Sequence, residues 1–428
     1  VALEEFDCVV LGDEPAGLWV LNQLGRLGVS GPIAWITFGA ASRGTAVPTR
    51  LASHFQLTIG DPWSLEIYSP HETLLWDSKT LESRFPGLHL NEFQFISPKG
   101  AITPSRRDLE KLTQLIARYP ELYTYSAGIW KFIGRTEQMH TQSMVWGALM
   151  CTEMATWHPA AEVATGVVRR ILPFDSKDCV EKLSKVKGNG LLLKMRDQEP
   201  LLTKKLILNT SLGNLVTISE KSADLIRFLN VDELEVNRKI GSPMALYPLK
   251  LKVKSQAIPA PVRPLTFYFE TSDIPDVQEE VWPIQRLDLA DGHCELVVWV
   301  SALKEISLEA LAEKFCGAMK RLHRLFPFLA SALLEIDGPL SVECGVSDER
   351  RSALQTKLEL SAIELYGRTG LDTRTRLKNV SVLSPFIHCE LPYPLGPLQQ
   401  AQKVLTDLFV GKSAPVPAAE SPATGPTP

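Results

Sequence analysis

The sequence predicts an α/β fold in which a Rossmann-like domain on a mostly parallel sheet is interleaved with a second, α+β domain on an antiparallel sheet. Three observations predict it. Phe6 to Gly28, FDCVVLGDEPAGLWVLNQLGRLG, reads as an apolar strand, a glycine turn and a helix, the entrance of a dinucleotide-binding βαβ unit. Residues 163–215 read as a β-meander with a return strand. From Gly241 to Glu343 strand patterns predominate around one well-marked helix, and a last strand and helix close the chain.

Composition sets the outer limits. A chain of 428 residues with 45% apolar and 22% charged residues buries a large core and divides into two domains. A net charge of -4 provides no basic field for nucleic acid or anionic lipid. The 7 cysteines are widely spread and form no C-x-x-C pair, so neither a disulfide framework nor a zinc site is expected. Glu4, Glu5 and Asp7 stand where a leader would carry basic residues, and no apolar run reaches membrane-spanning length. A cytoplasmic protein without a transmembrane segment is expected.

In the opening unit Ala16, Leu18, Val20, Leu21, Leu24 and Leu27 share one helix face that Gly28 ends, and Pro15 suits the first helical turn, where a missing N–H costs little. Ile33 to Phe38 reads as the next parallel strand. Pro104 to Arg118 reads as a helix with Leu109, Leu112, Leu115 and Ile116 as its stripe, in an otherwise loop-rich stretch from 49 to 125. Met139 to Trp157 concentrates Met and Trp, which suits a cavity lining, a contact with a partner or, more simply, a buried helix.

Val163 to Leu172 reads as a strand. Val180 to Val186 and Leu191 to Met195 flank Asn189-Gly190, a hairpin signal because both residues accept positive φ. Leu201 to Asn209 follows as the return strand. A second hairpin is expected around Asp291-Gly292. Ser307 should cap a helix with Leu308, Leu311, Ala312, Phe315, Met319, Leu322 and Leu325 inward, stopped by Pro327. Asn379 to Leu383 reads as a strand and Gly396 to Phe409 as a closing helix, with Arg374 and Arg376 placed to face an anion. Lys412 to Pro428 is rich in Pro and Ala and is expected to be disordered.

These segments resemble one family plan. GDEPAGL is similar to the GxGPAGL entrance of FAD-dependent oxidoreductases, LILNTSLGNL to the segment returning the chain to the FAD domain, and NVSVLSPF with LGPLQQAQKVLTDLF to the last strand and flavin-facing helix. The order resembles the flavin amine oxidase, protoporphyrinogen oxidase and phytoene desaturase group. That resemblance implies an FAD/NAD(P)-binding-like domain from 1–48, 160–218 and 375–411, and a substrate-like or interaction domain from 49–159 and 219–374. It implies a cofactor site at Gly12, Glu14, Ala16, Gly17, Thr37, Arg43, Gly44, Ser384, Gly396 and Leu398.

The departures from the family pattern fall on ligand contacts. Glu14 replaces the glycine that lets backbone approach the pyrophosphate, and Asp13 adds a second carboxylate. Two unit charges about 4 Å apart repel by roughly 4 kcal/mol at an effective dielectric of about 20, unless Glu14 turns outward or pairs with a cation such as Arg43. Thr37 stands where a carboxylate would hold the ribose, and Ser384-Pro385 replaces a Gly-Asp pair. Weak or absent FAD binding follows, and with it a non-catalytic binding or scaffold protein that works with a protein partner or as a homo-oligomer. The alternatives are an active FAD-dependent oxidoreductase holding FAD by atypical contacts, with hydride transfer near Leu395 to Leu398, or a site retuned for another ligand. No catalytic residue is identified. His388-Cys389-Glu390 is the one polar cluster near the flavin end, and a loop beside Pro385 and Pro392 is the simpler reading of it.

Overall fold

The computed structural model describes residues 3–27, 31–37, 45–69, 72–97, 102–135, 141–163, 167–171, 180–186, 190–195, 199–210, 241–259, 263–270, 280–289, 291–338, 354, 358, 362–366, 373–383 and 395–410. Strand β1 (Glu4–Leu11), helix α1 (Pro15–Arg26) and β2 (Ile33–Ile36) come first. Next are β3 (Thr45–Pro48), α2 (Thr49–Phe55), β4 (Ile59–Trp63), β5 (Leu65–Tyr68), β6 (Thr73–Leu75) and α3 (Ser78–Arg84). Helices α4 (Arg106–Arg118), α5 (Pro120–Ile133) and α6 (Thr141–Met150) precede β7 (Met154–Trp157) and α7 (Pro159–Glu162). The meander comprises β8 (Val168–Ile171), β9 (Val180–Lys185), β10 (Leu191–Met195) and β11 (Leu201–Leu208). Then come β12 (Gly241–Lys254), β13 (Leu265–Glu270), β14 (Glu280–Asp288), β15 (His293–Leu303), α8 (Leu308–Leu325), α9 (Leu329–Ala332) and β16 (Leu333–Asp337). Last are β17 (Ile363–Tyr366), β18 (Val380–Val382) and α10 (Leu395–Leu405), which runs on as a π-helical turn, Thr406–Val410.

The first sheet has the order β8-β2-β1-β11-β10-β9, with β18 also on β11. β8, β2, β1, β11 and β18 are mutually parallel, whereas β9 and β10 form the antiparallel hairpin expected from Asn189-Gly190. β11 shares one edge between two partners: β10 takes Leu201 to Thr203 and β18 takes Leu206 to Leu208. Alternation along β1 divides the core, because successive side chains point to opposite faces. Cys8 and Val10 pack with α1 and α10 on one side, while Val9 and Leu11 meet the meander and β18 on the other.

Helix α1 corrects the expectation of a single apolar face. Every residue from Pro15 to Leu24 is buried, because the helix lies among the sheet, α7 and α10, and Leu27 is 49% exposed instead of inward. Pro15 is its first residue, as its missing N–H favours. The second apolar run ends as a strand at Ile36, and the strand expected over 163–172 is formed at Val168–Ile171.

The second sheet runs β16-β12-β15-β14-β13-β5-β6, with β17 also on β12. The hairpin at Asp291-Gly292 forms as expected, with Gly292 at φ 76°. One face packs on α8, whose inward residues are those read from the sequence with Ala318 added, Leu325 lying half-covered at the edge, and Ser307 Oγ accepts the Ala310 N–H as a cap. The other face meets α5 through aromatic contacts, including Tyr125–Phe269 and Phe132–Trp299. The Met- and Trp-rich stretch is core: α6 is buried from Met144 to Met150, and β7 follows it as the middle strand of a sheet ordered β3-β7-β4.

Among the described residues, no helix is long and apolar enough to cross a membrane, and no group of His, Cys, Asp and Glu is placed to hold a metal. The expected disordered tail, 412–428, lies outside the described residues, as do Arg43, Gly44, Ser384, Pro385 and the His388-Cys389-Glu390 cluster.

Candidate functional site

The carboxyl ends of β1, β2 and β11 meet where the strand order reverses, the place at which open parallel sheets bind ligands. At the end of β1, Gly12 turns the chain with φ +114° and donates its N–H to Ile36 O at 2.8 Å. A Cβ there would stand 1.9 Å from Asn209 O, so only glycine fits. Gly17, in the first turn of α1, faces a Cβ contact of 2.2 Å with Asn209 Cγ. Between them Glu14 is the N-cap of α1, at φ -69° and ψ 145°, a backbone conformation open to any residue. Its side chain makes no cap hydrogen bond.

The turn is tied from two other strands. Trp35, buried on β2, donates its indole N–H to Gly12 O at 3.0 Å. Asn209, just past β11 and fully buried, accepts the Gly17 N–H at 3.0 Å and donates to Glu14 O at 2.8 Å and, more weakly, to Gly12 O at 3.4 Å. Its own backbone N–H donates to Leu11 O at 2.7 Å. Neither Trp35 nor Asn209 is signalled by the sequence as a site residue. Asn209 lies 192 residues from Gly17 and reads locally as the polar end of an apolar strand.

The expected site residues fall as follows. Gly12, Glu14, Ala16 and Gly17 form one turn, with Ala16 buried. Thr37 follows β2, is fully buried, and donates its N–H to Ile171 O at 3.1 Å. Gly396 and Leu398 lie in α10, buried where it packs along α1. The anion faced by Arg374 is Asp407 from the last helical turn, at 3.0 Å.

A pyrophosphate at this turn would look for amide donors at the start of α1. Pro15, which the family entrance also carries, has none, and Leu18 makes the ordinary first helical bond to Glu14 O, so what sets this turn apart is that the Gly17 N–H is taken by Asn209. A carboxylate at Glu14 stands beside the turn, where the fingerprint has a glycine. At Thr37 there is no carboxylate for a ribose. This donor set fits a dinucleotide poorly, and no chemical step is derived through one.

Comparison with solved structures places the fold. The chain is similar to cyclohexylamine oxidase from Brevibacterium oxydans IH-35A, at 10% identity and a TM-score of 0.51 over 94% of this chain and 98% of that one. It is similar to a wild-type putrescine oxidase bound to putrescine, at 12% identity and a TM-score of 0.51 over 95% and 99% of the two chains. An oxidoreductase from Methanosarcina mazei aligns at 10% identity with a TM-score of 0.55, over 94% and 99%. The fold is therefore that of the FAD-dependent oxidoreductases, as the resemblance in the sequence implied. No family model and no curated protein matches the chain.

Proposed function

We propose that this protein is a non-catalytic binding or scaffold protein on a flavin-oxidoreductase fold, with a dinucleotide site that holds FAD weakly or not at all. One observation carries this reading. In the G-x-G-x-x-G turn the first glycine serves the turn, the second serves the approach of the ligand, and the third serves helix–strand packing. Here the two that packing demands, Gly12 and Gly17, are present, and the one that only a ligand demands is Glu14. The residues kept are those the apo fold needs.

On this reading residues 1–48, 160–218 and 375–411 form the ligand-type domain. Residues 49–159 and 219–374 form the domain that meets a protein partner or a second copy, in the reducing cytoplasm. The test is an absorbance spectrum of the purified protein, denaturation to release any bound group, and titration with FAD. A colourless protein that takes up no added FAD is the expected result. Stoichiometric flavin would overturn the reading and favour the alternative, an active FAD-dependent oxidoreductase with atypical contacts. That alternative draws on the complete frame of β1, β2, β11, β18, α1 and α10.

A further inference from the structure

We propose that the Asn209 carboxamide is a built-in substitute for an anionic ligand at the start of α1, a latch that closes the pyrophosphate cradle from inside and makes the turn rigid without a cofactor. The inference deepens the reading above and rests on it. The amides opening a helix need acceptors from a cap side chain, water or a ligand. Glu14, in the N-cap position, supplies none through its side chain, and Pro15 removes one of the donors. The acceptor for Gly17 comes instead from a strand 192 residues away.

The chemistry of the carboxamide explains why an asparagine suits this place. Its Oδ1 accepts from the Gly17 N–H at 3.0 Å, as a phosphate oxygen would. Its Nδ2 donates to Glu14 O at 2.8 Å and reaches Gly12 O at 3.4 Å. A deprotonated phosphate or carboxylate accepts but cannot donate, so no simple anion satisfies both sides of the turn. The absence of a Cβ at Gly17 lets the carboxamide lie directly against the helix backbone, with Cγ 2.2 Å from where that Cβ would be. Asn209 has no exposed surface. A ligand reaching for the Gly17 amide must therefore displace a fully buried side chain and break its bonds to the turn.

Hydrogen exchange on the full chain without nucleotide tests the latch. The Gly17 amide should be strongly protected in the wild type, and exchange at the rate of an open amide would overturn the proposal. Asn209→Ala should speed Gly17 exchange roughly tenfold or more and lower Tm by a few degrees. Asn209→Leu, similar in size but unable to hydrogen-bond, separates latching from space-filling. The latch requires fast Gly17 exchange in it as well, and wild-type protection would overturn the proposal. If Asn209→Ala does not fold, the wild-type exchange and the isosteric Asn209→Asp decide: the aspartate keeps the acceptor, loses the donor and should lower Tm, and an unchanged Tm would count against the latch.

FAD titration then reads the closure itself. Glu14→Gly with Asn209→Ala should bind FAD at least tenfold more tightly than Glu14→Gly alone, and equal affinity would overturn the closing role. Stoichiometric FAD on the purified wild type would instead sink the non-catalytic reading. Gly17 protection measured after the flavin is stripped still decides the latch on its own.

Discussion

At Gly12 and Gly17 one added methyl group is the difference between a packed turn and a collision. Gly17→Ala would press a Cβ into the Asn209 side chain, an overpacking that typically costs about 1–3 kcal/mol. Gly12→Ala should cost more, because its neighbour is a backbone carbonyl that cannot rotate away and its φ of +114° is strained for any L side chain. Glu14→Ala, on ordinary backbone, should lose less than either. Urea unfolding midpoints of the three variants check this order, and a Glu14→Ala loss equal to that of Gly17→Ala would assign Glu14 a structural role. Burial pushes the Cys8 and Cys151 thiols up to about 12 from 9.0. Both stay protonated in the fold while unfolded thiols ionise near 9, so their contribution is complete below pH 9 and is lost as pH rises toward 12. Stability measured across that window should fall, and in native protein at pH 8 iodoacetamide should modify half-exposed Cys316 well before either buried thiol.

Elements were legible where their ends carry chemistry of their own. Ser307 caps α8 as read, and Ser105 with Asp108 forms a capping box that starts α4 at Arg106, two residues inside the expected Pro104. Ser105→Ala should cost about 1 kcal/mol in thermal unfolding. Helix α5, PELYTYSAGIWKFI, escaped the reading for a physical reason. It is packed between α4, α6 and the aromatic face of the second sheet, with Tyr125, Ile129, Trp130 and Phe132 all buried. An element covered on most sides keeps no polar face, so no period of 3.6 stands out. A side chain also decides how elements join. Glu162 accepts from Asn22 of α1 at 2.6 Å, from the Thr58 N–H at 2.9 Å and from the Trp157 indole of β7 at 2.9 Å. Glu162→Ala should destabilise by about 2 kcal/mol, since the buried Trp157 donor is left unpaired, whereas Glu162→Gln, which keeps an acceptor, should lose less.

For the molecule as a whole, ligand linkage gives the broadest check. A ligand at about 100 times its Kd adds about 2.7 kcal/mol of stability, which heating would register as a rise in Tm. Excess FAD should leave the Tm of this protein unchanged and should raise it once Glu14→Gly and Asn209→Ala are combined. A rise for the unaltered protein would mean that the cradle accepts the dinucleotide as it stands. The two large sheets share one apolar cluster, which runs from Val10 and Leu18 to Phe267 and Trp299. A disturbance at the turn is therefore expected to be read in global unfolding as well as locally.

The sequence by itself determined the strand–turn–helix entrance, both hairpins and the capped helix α8, because each depends on local periodicity, turn chemistry or caps, while the fold class followed from the order of segments that resemble the FAD-dependent oxidoreductases. It also located the substitution at Glu14. Only the tertiary structure decided what surrounds those elements: β5 beside β13 across some 200 residues of chain, β11 shared between β10 and β18, and Asn209 inside the glycine turn. The physical reason is distance along the chain. A residue that closes a site from a strand 192 positions away leaves no pattern near the site it closes.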